Sequence, residues 1–399
     1  MELSESLKKF IREHASDDLD KLLLSASRFP DINMSMAVDQ IAARRQVKDK
    51  LPYWYSHEDI LYPSRLSAEQ CSSESSARYK QRLLKGTSCC DLTGGLGVDS
   101  YYFSLKADRH TYIERFPSYC EAARHNFQVL KAGNIQVVQG DVRDNLQTLY
   151  ADTFYIDPAR RADCNKRVFA LSDCEPDVLQ LKSVLLEHAD RVIIKISPMA
   201  DIEETLRLLP ETIEVHVVAV RNECKELLFV LEGKQTRQGI SEVTIYTANL
   251  FPDEQQNQYF SFTLYEEKEC TLQIAGQLSE YLYEANAAVM KSGAFKLLAS
   301  RYGMYKLHRH SHLYTADTLR HDFPGRKFKI EQVYEFSSHF QKQIGKNVPQ
   351  ANIAVRNFPL SVAVFRKRTH ISEGGDKYLF ATTLDDERKV VIQTVKAYE

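Results

Sequence analysis

Four acidic residues, Asp91, Glu114, Asp141 and Asp157, each follow a short apolar or mixed run. Beside the first lies the stretch Cys89-Cys-Asp-Leu-Thr-Gly-Gly-Leu-Gly97, with three glycines in four residues. Glycines there allow positive φ and let a ligand approach bare backbone, while a helix start after the turn presents N–H groups with no intrahelical partner. Acids that end successive strands of an open α/β sheet converge on one crevice outside the strand ends. Turn and acids together point to a nucleotide-like cofactor. Glu114 lies 23 residues after Asp91, where an acid reaches ribose hydroxyls in dinucleotide enzymes as well, so a nicotinamide cofactor is the first rival. Against it, Ser100 takes the third glycine place of G-x-G-x-x-G, and Asp157-Pro158 follows the fourth strand.

Periodicity gives the elements that must carry these residues. Strands are expected at Ser88–Leu92, His110–Glu114, Ile135–Gln139, Thr153–Ile156, Arg191–Ile196, Glu214–Val220 and Leu227–Glu232. Helical segments separate the first five, which predicts right-handed βαβ units in a parallel sheet. Arg221 to Glu226 is too short for a parallel crossover, so the last two strands must be antiparallel. Upstream, residues 1–86 read as helices, with Leu7, Phe10 and Ile11 at helical spacing, an acidic helix start at Asp17–Asp20, and a third helix from Met34 to Lys50. That last segment sets basic residues beside an apolar stripe, a solvated face or a nucleic-acid contact. Tyr53-Trp54-Tyr55 either stack bases or anchor the helical region to the central domain. Ser72, Ser73 and Glu74 cap a helix at Ser75–Leu84, or belong to a loop that closes over the ligand.

Beyond Gly233 a hairpin is expected at Val243–Ala248 and Tyr259–Tyr265, then a helix-rich stretch over Ser279–Leu307. The C-terminal module reads as strand Lys327–Tyr334, helix Ser338–Ile344, and strands Ala351–Arg356, Ser361–Lys367, Tyr378–Thr383 and Val390–Gln393.

The 399 residues exceed what one hydrophobic core usually serves, and their 43% hydrophobic and 27% charged content is that of a water-soluble globular protein. No run approaches the roughly 18 apolar residues of a membrane span, and the N-terminus lacks a secretory apolar region, so a cytoplasmic location is expected. Eight scattered cysteines carry no zinc spacing and are expected to be reduced. His308, His310 and His312 alternate but have no acidic or cysteine partner nearby, so a basic loop rather than a metal site is expected. The net charge of −2 hides an asymmetry: residues 291–370 carry fifteen Lys and Arg against four Asp and Glu, a balance of +11. Such a block on an acidic body is the footprint of a nucleic-acid-binding module, or of a basic surface with no polyanion partner.

Asp91-x-Thr93-x-Gly95-x-Gly97 resembles the first motif of class I S-adenosylmethionine-dependent methyltransferases, with Thr93 where glycine is frequent. Glu114, Asp141 and Asp157-Pro158-Ala159-Arg160 resemble its later motifs, and the closing antiparallel pair matches that fold. The resemblance implies S-adenosyl-L-methionine as cofactor, with Asp91, Thr93, Gly94, Gly95 and Gly97 at the methionine end, Glu114 on the ribose and Asp141 by the adenine. Ser72 and Ser73 are added as the closing loop, and Asp157, Pro158 and Arg160 as the catalytic positions.

The whole chain resembles a bacterial group of these enzymes with a helical N-terminal region and a C-terminal THUMP-like domain. Leu66-Ser-Ala-Glu-Gln-Cys-Ser-Ser-Glu74, Phe154-Tyr-Ile-Asp-Pro-Ala-Arg-Arg161, Tyr283-Glu-Ala-Asn-Ala-Ala288 and Phe323-Pro-Gly-Arg-Lys-Phe328 carry that likeness. It implies a Rossmann-like α/β catalytic sheet over residues 87–233, helices over 1–86, a linker hairpin with a ferredoxin-like module over 234–322, and a THUMP-like α+β domain over 323–399. THUMP domains bind RNA, which agrees with the +11 block.

In nitrogen methylation an acid and a proline carbonyl after the fourth strand accept hydrogen bonds from the amine. Asp157 and Pro158 fit, whereas Ala159-Arg160 departs from the usual proline-aromatic ending. Asp157-Pro-Ala-Arg160 also resembles the Asp-Pro-Pro-Arg of uridine C5-methyltransferases, but those need a cysteine nucleophile after the next strand, where this chain has Ser197. Arg160 and Arg161 could grip an RNA phosphate or stack on a base, and a structural ion pair suits Arg161 equally. The expected activity is methylation of a base in structured RNA, tRNA or rRNA, with no membrane and no metal. The alternatives are methylation of a protein or small molecule, or a non-catalytic RNA-binding protein that keeps the fold.

Overall fold

A computed structural model of the chain describes residues 3–160, 171–233 and 239–397, with only the backbone at Arg160. Arg161 and Cys164 lie outside the described residues. Two compact units divide the chain, Met1–Val215 with Lys225–Ile240 and Leu250–Pro252, and His216–Cys224 with Ser241–Asn249 and Asp253–Glu399.

The first unit begins with helices α1 (Glu5–Glu13), α2 (Leu19–Leu24), α3 (Met34–Val47), α4 (Pro52–Tyr55), α5 (Arg65–Gln70) and α6 (Glu74–Gln81). Asp18 starts α2 by accepting from the Asp20 and Lys21 amides at 3.0 and 3.1 Å, satisfying two donors of the first turn. The apolar stripe Leu7, Phe10 and Ile11 packs on Leu22, Met34, Val38 and Ile41. Each such buried side chain contributes about 1.5–3 kcal/mol, more than isolated helices this short could supply by propensity.

The sheet strands are β1 (Ser88–Asp91), β2 (Arg109–Glu114), β3 (Ile135–Gln139), β4 (Ala151–Ile156), β5 (Ala189–Ile196), β6 (Thr212–Val220) and β7 (Glu223–Leu231). They run in the order β6-β7-β5-β4-β1-β2-β3 within a nine-stranded sheet, which two later strands extend beyond β6. Pairs β1/β2, β2/β3, β1/β4 and β4/β5 are parallel, and β5/β7 is antiparallel. The β6–β7 link is shorter than expected: Arg221 and Asn222 alone, both with positive φ, make the two-residue turn that matches strand twist. Helices α7 (Val98–Ser104), α8 (Pro117–Val129), α9 (Val178–His188) and α10 (Ile202–Leu208) lie in four of the connections, and β3 joins β4 through the short helix Val142–Asn145. Trp54 is fully buried, edge-on to Tyr101 of α7, and Tyr53 stacks on the same ring. The aromatic triplet therefore works as an anchor at Tyr53 and Trp54.

In the second unit β8 (Thr244–Leu250) and β9 (Gln258–Thr263) form the expected hairpin. A seven-stranded sheet follows, from β10 (Tyr281–Ala285), β11 (Tyr305–His308), β12 (Ser311–Ala316), β13 (Gly325–Glu335), β14 (Asn352–Arg356), β15 (Lys377–Thr383) and β16 (Lys389–Lys396), in the order β11-β12-β10-β13-β16-β15-β14. Two expectations are corrected. The helix-rich stretch over 279–307 holds helices Ala287–Ser292 and Phe295–Tyr302, but strands β10 and β11 flank them. Ser361–Lys367, read as a strand from its valines, is the helix Val362–Thr369. Ser361 caps it by accepting from the Val364 amide, and Phe365 and Thr369, four apart, face inward. The histidine triplet lies on the β11–β12 hairpin, where His308 Nδ1 accepts from the His310 amide and His312 stacks on Phe295 at 3.8 Å.

The conspicuous Glu284 and Gly325-Arg326 of this unit have a structural reason. A Cβ at Gly325 would meet the Glu284 carbonyl at 2.2 Å, so glycine permits the β10/β13 pairing. The Glu284 carboxylate, almost fully buried, holds Arg326 and accepts from Arg356 at 2.6 Å.

Among the described residues no helix is long and apolar enough to cross a membrane.

Candidate active site

Strand order reverses between β1 and β4, and a cavity of about 320 Å³ opens there at their carboxyl ends. Register explains the placement: Asp91 ends β1 level with Tyr112 of β2 and Tyr155 of β4. Asp91, Thr93, Gly94, Gly95, Gly97, Glu114, Asp141, Asp157 and Ser72 all line this cavity. Ala159 also lines it. Pro158 is half-buried and not among the lining residues, and neither is Ser73, whose hydroxyl caps α6 by accepting from the Ser76 amide at 3.2 Å.

The glycine turn is held from below. Asp91 is fully buried, accepting from the Thr93 amide at 3.0 Å and the Ser100 hydroxyl at 2.6 Å. Burial raises its pKa to about 7 despite those two bonds, with Asp99 and Asp157 adding to the rise. Ser100, which occupies the third glycine place, thus has a specific use. Glu114 accepts from the Gly95 amide at 2.9 Å and the Phe116 amide at 2.9 Å, and the Tyr112 hydroxyl donates to the Gly95 carbonyl at 2.6 Å. A Cβ at Gly94 would strike the Tyr112 ring at 2.2 Å, whereas one at Gly95 would meet only the Thr93 carbonyl at 3.8 Å, at a φ of +54°. Gly94 is therefore a packing requirement and Gly95 a conformational one.

Asp141 caps the turn after β3 and is gripped by Arg143 at 2.7 and 2.8 Å, which lowers its pKa to about 2. Phe116 and Tyr119 also line the cavity. On the other side, Thr93 Oγ1 accepts from the Asp157 amide at 2.7 Å, tying the glycine turn to the end of β4. The Asp157 carboxylate pairs with the Lys195 ammonium of β5. Burial acts to lower the Lys195 pKa, but Asp157, Glu226 and Asp99 outweigh it and hold the ammonium above its usual value.

A buried ionic cluster underlies the floor. Lys80 Nζ, with no exposed surface, lies 2.9 Å from Asp99, 3.1 Å from Glu226 and 2.6 Å from the Ser72 hydroxyl, while the Tyr155 hydroxyl donates to Asp99 at 2.9 Å. Ser72 also donates to Asp99 at 2.8 Å. Sequence reasoning missed Lys80, Asp99, Glu226 and Lys195. Only Lys195 left a trace, as a charge inside the apolar run Val192-Ile-Ile-Lys-Ile196. Among the described residues six carboxylates line the cavity, those of Asp91, Asp99, Glu114, Asp141, Asp157 and Glu175, with one guanidinium, Arg115, which is 3.3 Å from Glu175. Such a wall favours a cationic ligand with hydroxyl groups. A volume of this size suits a small-molecule cofactor. No group of three or more His, Cys, Asp or Glu arranged for a metal occurs among the described residues.

A ferredoxin-like domain model matches residues 281–324, and a THUMP domain-like model matches residues 325–396. At 37% identity and a TM-score of 0.90, the chain is similar to the crystal structure of a candidate methyltransferase from Porphyromonas gingivalis W83, over 98% of both chains. Precorrin-6y C5,15-methyltransferase from Geobacter metallireducens GS-15 shares 15% identity over 41% of this chain and 87% of that one, with a TM-score of 0.31. A candidate methyltransferase from Streptococcus mutans in complex with SAH shares 15% identity over 39% of this chain and 94% of that one, with a TM-score of 0.30. No match was found among curated proteins.

Proposed function

We propose a reaction for this chain, which belongs to the bacterial group of class I methyltransferases with a C-terminal THUMP-like domain: S-adenosylmethionine-dependent methylation of a base in structured RNA, tRNA or rRNA, in the cytoplasm. The observation that carries it is the acidic, glycine-turned cavity at the β1/β4 reversal.

In this reading the glycine turn, Asp91, Thr93 and Ser72 border the methionine end, Glu114 takes the ribose hydroxyls, and Asp141 stands by the adenine. Ser73 supports the closing loop by capping α6 behind it. When bound, S-adenosylmethionine supplies an electrophilic methyl on a sulfonium, for which the carboxylate-lined wall is complementary. The protein's task is then to hold the acceptor lone pair in line at near-attack distance, which needs orientation more than covalent help.

Asp157 is placed for that task, with its side chain about one-third exposed (37%), its amide fixed by Thr93 and its carboxylate by Lys195. Its free lone pairs accept from the acceptor group, joined by the Pro158 carbonyl, and Arg160 is assigned the grip on an RNA phosphate or a stack on a base. The phosphate backbone is repelled by the acidic wall, so the base must enter alone while basic surfaces elsewhere carry the strand. The +11 block of residues 291–370 supplies them.

Titration calorimetry of the full chain with S-adenosylmethionine tests the cofactor. Saturable binding is expected, weakened at least ~10-fold by Glu114→Ala through lost ribose hydrogen bonds to a charged group. Absence of any binding heat overturns the reading.

A further inference from the structure

We infer that the hollow between α1 and α3 is a second RNA-binding site, one that seats a nucleotide of the substrate strand away from the cofactor cavity. The inference rests on the RNA reading above. The hollow has a volume of about 570 Å³, an apolar floor from Ile11, Ala15 and Ile41, and five Lys or Arg in its lining against one carboxylate, Glu58.

What distinguishes it from an ordinary solvated helix face is how the cations are held. Arg44 donates to the Tyr55 carbonyl at 2.7 Å and the His57 carbonyl at 3.3 Å, with its guanidinium 4.7 Å from the Tyr55 ring centre. Arg45 donates to the Ala15 carbonyl at 2.7 Å and to that of Asp17. Carbonyls fix a guanidinium in place without cancelling its charge. Lys48, four residues beyond Arg44 and on the same helical face, is exposed and has no ion pair among the described residues. Lys8 and Arg12, in contrast, are neutralised by Asp59 and Glu58. Two positioned guanidinium groups and an exposed lysine, none paired with a carboxylate among the described residues, around an apolar floor and a tyrosine edge match a unit that is anionic at one end and flat and weakly polar at the other. A nucleotide of an RNA strand is that unit, with its phosphate at Arg45 and Lys48 and its base towards Tyr55.

The test uses the full chain, a fluorescein-labelled tRNA pool and a salt series, with the same pool carrying 4-thiouridine for crosslinking. Lys48→Glu is expected to weaken RNA binding about 5- to 10-fold at 0.1 M salt, and Lys48→Ala to lower the slope of log K against log salt by about one. Crosslinks are expected to peptides within residues 8–58. Melting temperature and S-adenosylmethionine affinity of both variants stay at the wild-type values, because Lys48 contacts neither the core nor the cofactor cavity. Wild-type affinity and slope in both variants, with no crosslink in that segment, overturn this site while leaving the RNA reading standing. A wild-type chain that binds S-adenosylmethionine but no RNA at any salt overturns both.

Discussion

Asp91 shows how a residue can be read correctly for place and incompletely for role. Its position after a buried run and before the glycines was legible. Its full burial and its two bonds to Thr93 and Ser100 were not, because both depend on how α7 returns over β1. The consequence is a pH signature. With a folded pKa of about 7 against roughly 4 unfolded, Asp91 keeps a proton in the folded state that the unfolded chain has lost. The folded state therefore binds more protons between about pH 4 and 7, and stability from this group falls as pH rises across that window, levelling above it. Asn at this position can keep the bond from the Thr93 amide on its Oδ1, must donate from Nδ2 to the Ser100 oxygen rather than accept from it, and does not titrate. Melting temperatures from pH 4 to 8 should show the wild-type curve falling relative to Asp91→Asn up to about pH 7. Parallel curves would contradict the burial argument.

At the level of elements, period-two and period-3.6 patterns located strands β1 to β7 of the first sheet within a few residues, since buried strands are short apolar runs bounded by turns. The same logic failed at Val362–Thr369 and Tyr281–Ala285. A valine-rich helix looks like a strand without its cap, and a short central strand beside two helices has too few residues to declare its period. The glycine turn separates two requirements that the sequence presents as one. Gly94→Ala drives a methyl into the Tyr112 ring, which is fully buried and tied to Gly95, so overpacking should cost about 1–3 kcal/mol of stability. Gly95→Ala meets open space at a left-handed φ, costing about 1 kcal/mol, while its methyl alters the cavity wall. Denaturant melts and cofactor titrations of the two variants should diverge. Gly94→Ala should lose more stability, and Gly95→Ala should lose cofactor affinity out of proportion to its stability. Equal stability losses would remove the distinction between a packing and a conformational glycine.

For the whole molecule, charge is divided by task. Carboxylates are concentrated on the cavity wall and beneath it, around Lys80, while the basic excess of +11 lies in residues 291–370. That division was half visible. The basic block could be counted, but the ionic cluster of Lys80, Asp99 and Glu226 joins residues up to 146 positions apart, and no local pattern announces it. The central claim is tested most directly by incubating the full chain with methyl-labelled S-adenosylmethionine and total RNA or total protein. The account predicts label in RNA with wild type, reduced at least ~100-fold in Asp157→Ala by loss of acceptor orientation, and none above background in protein. Label confined to protein, or undiminished RNA labelling by Asp157→Ala, would contradict it.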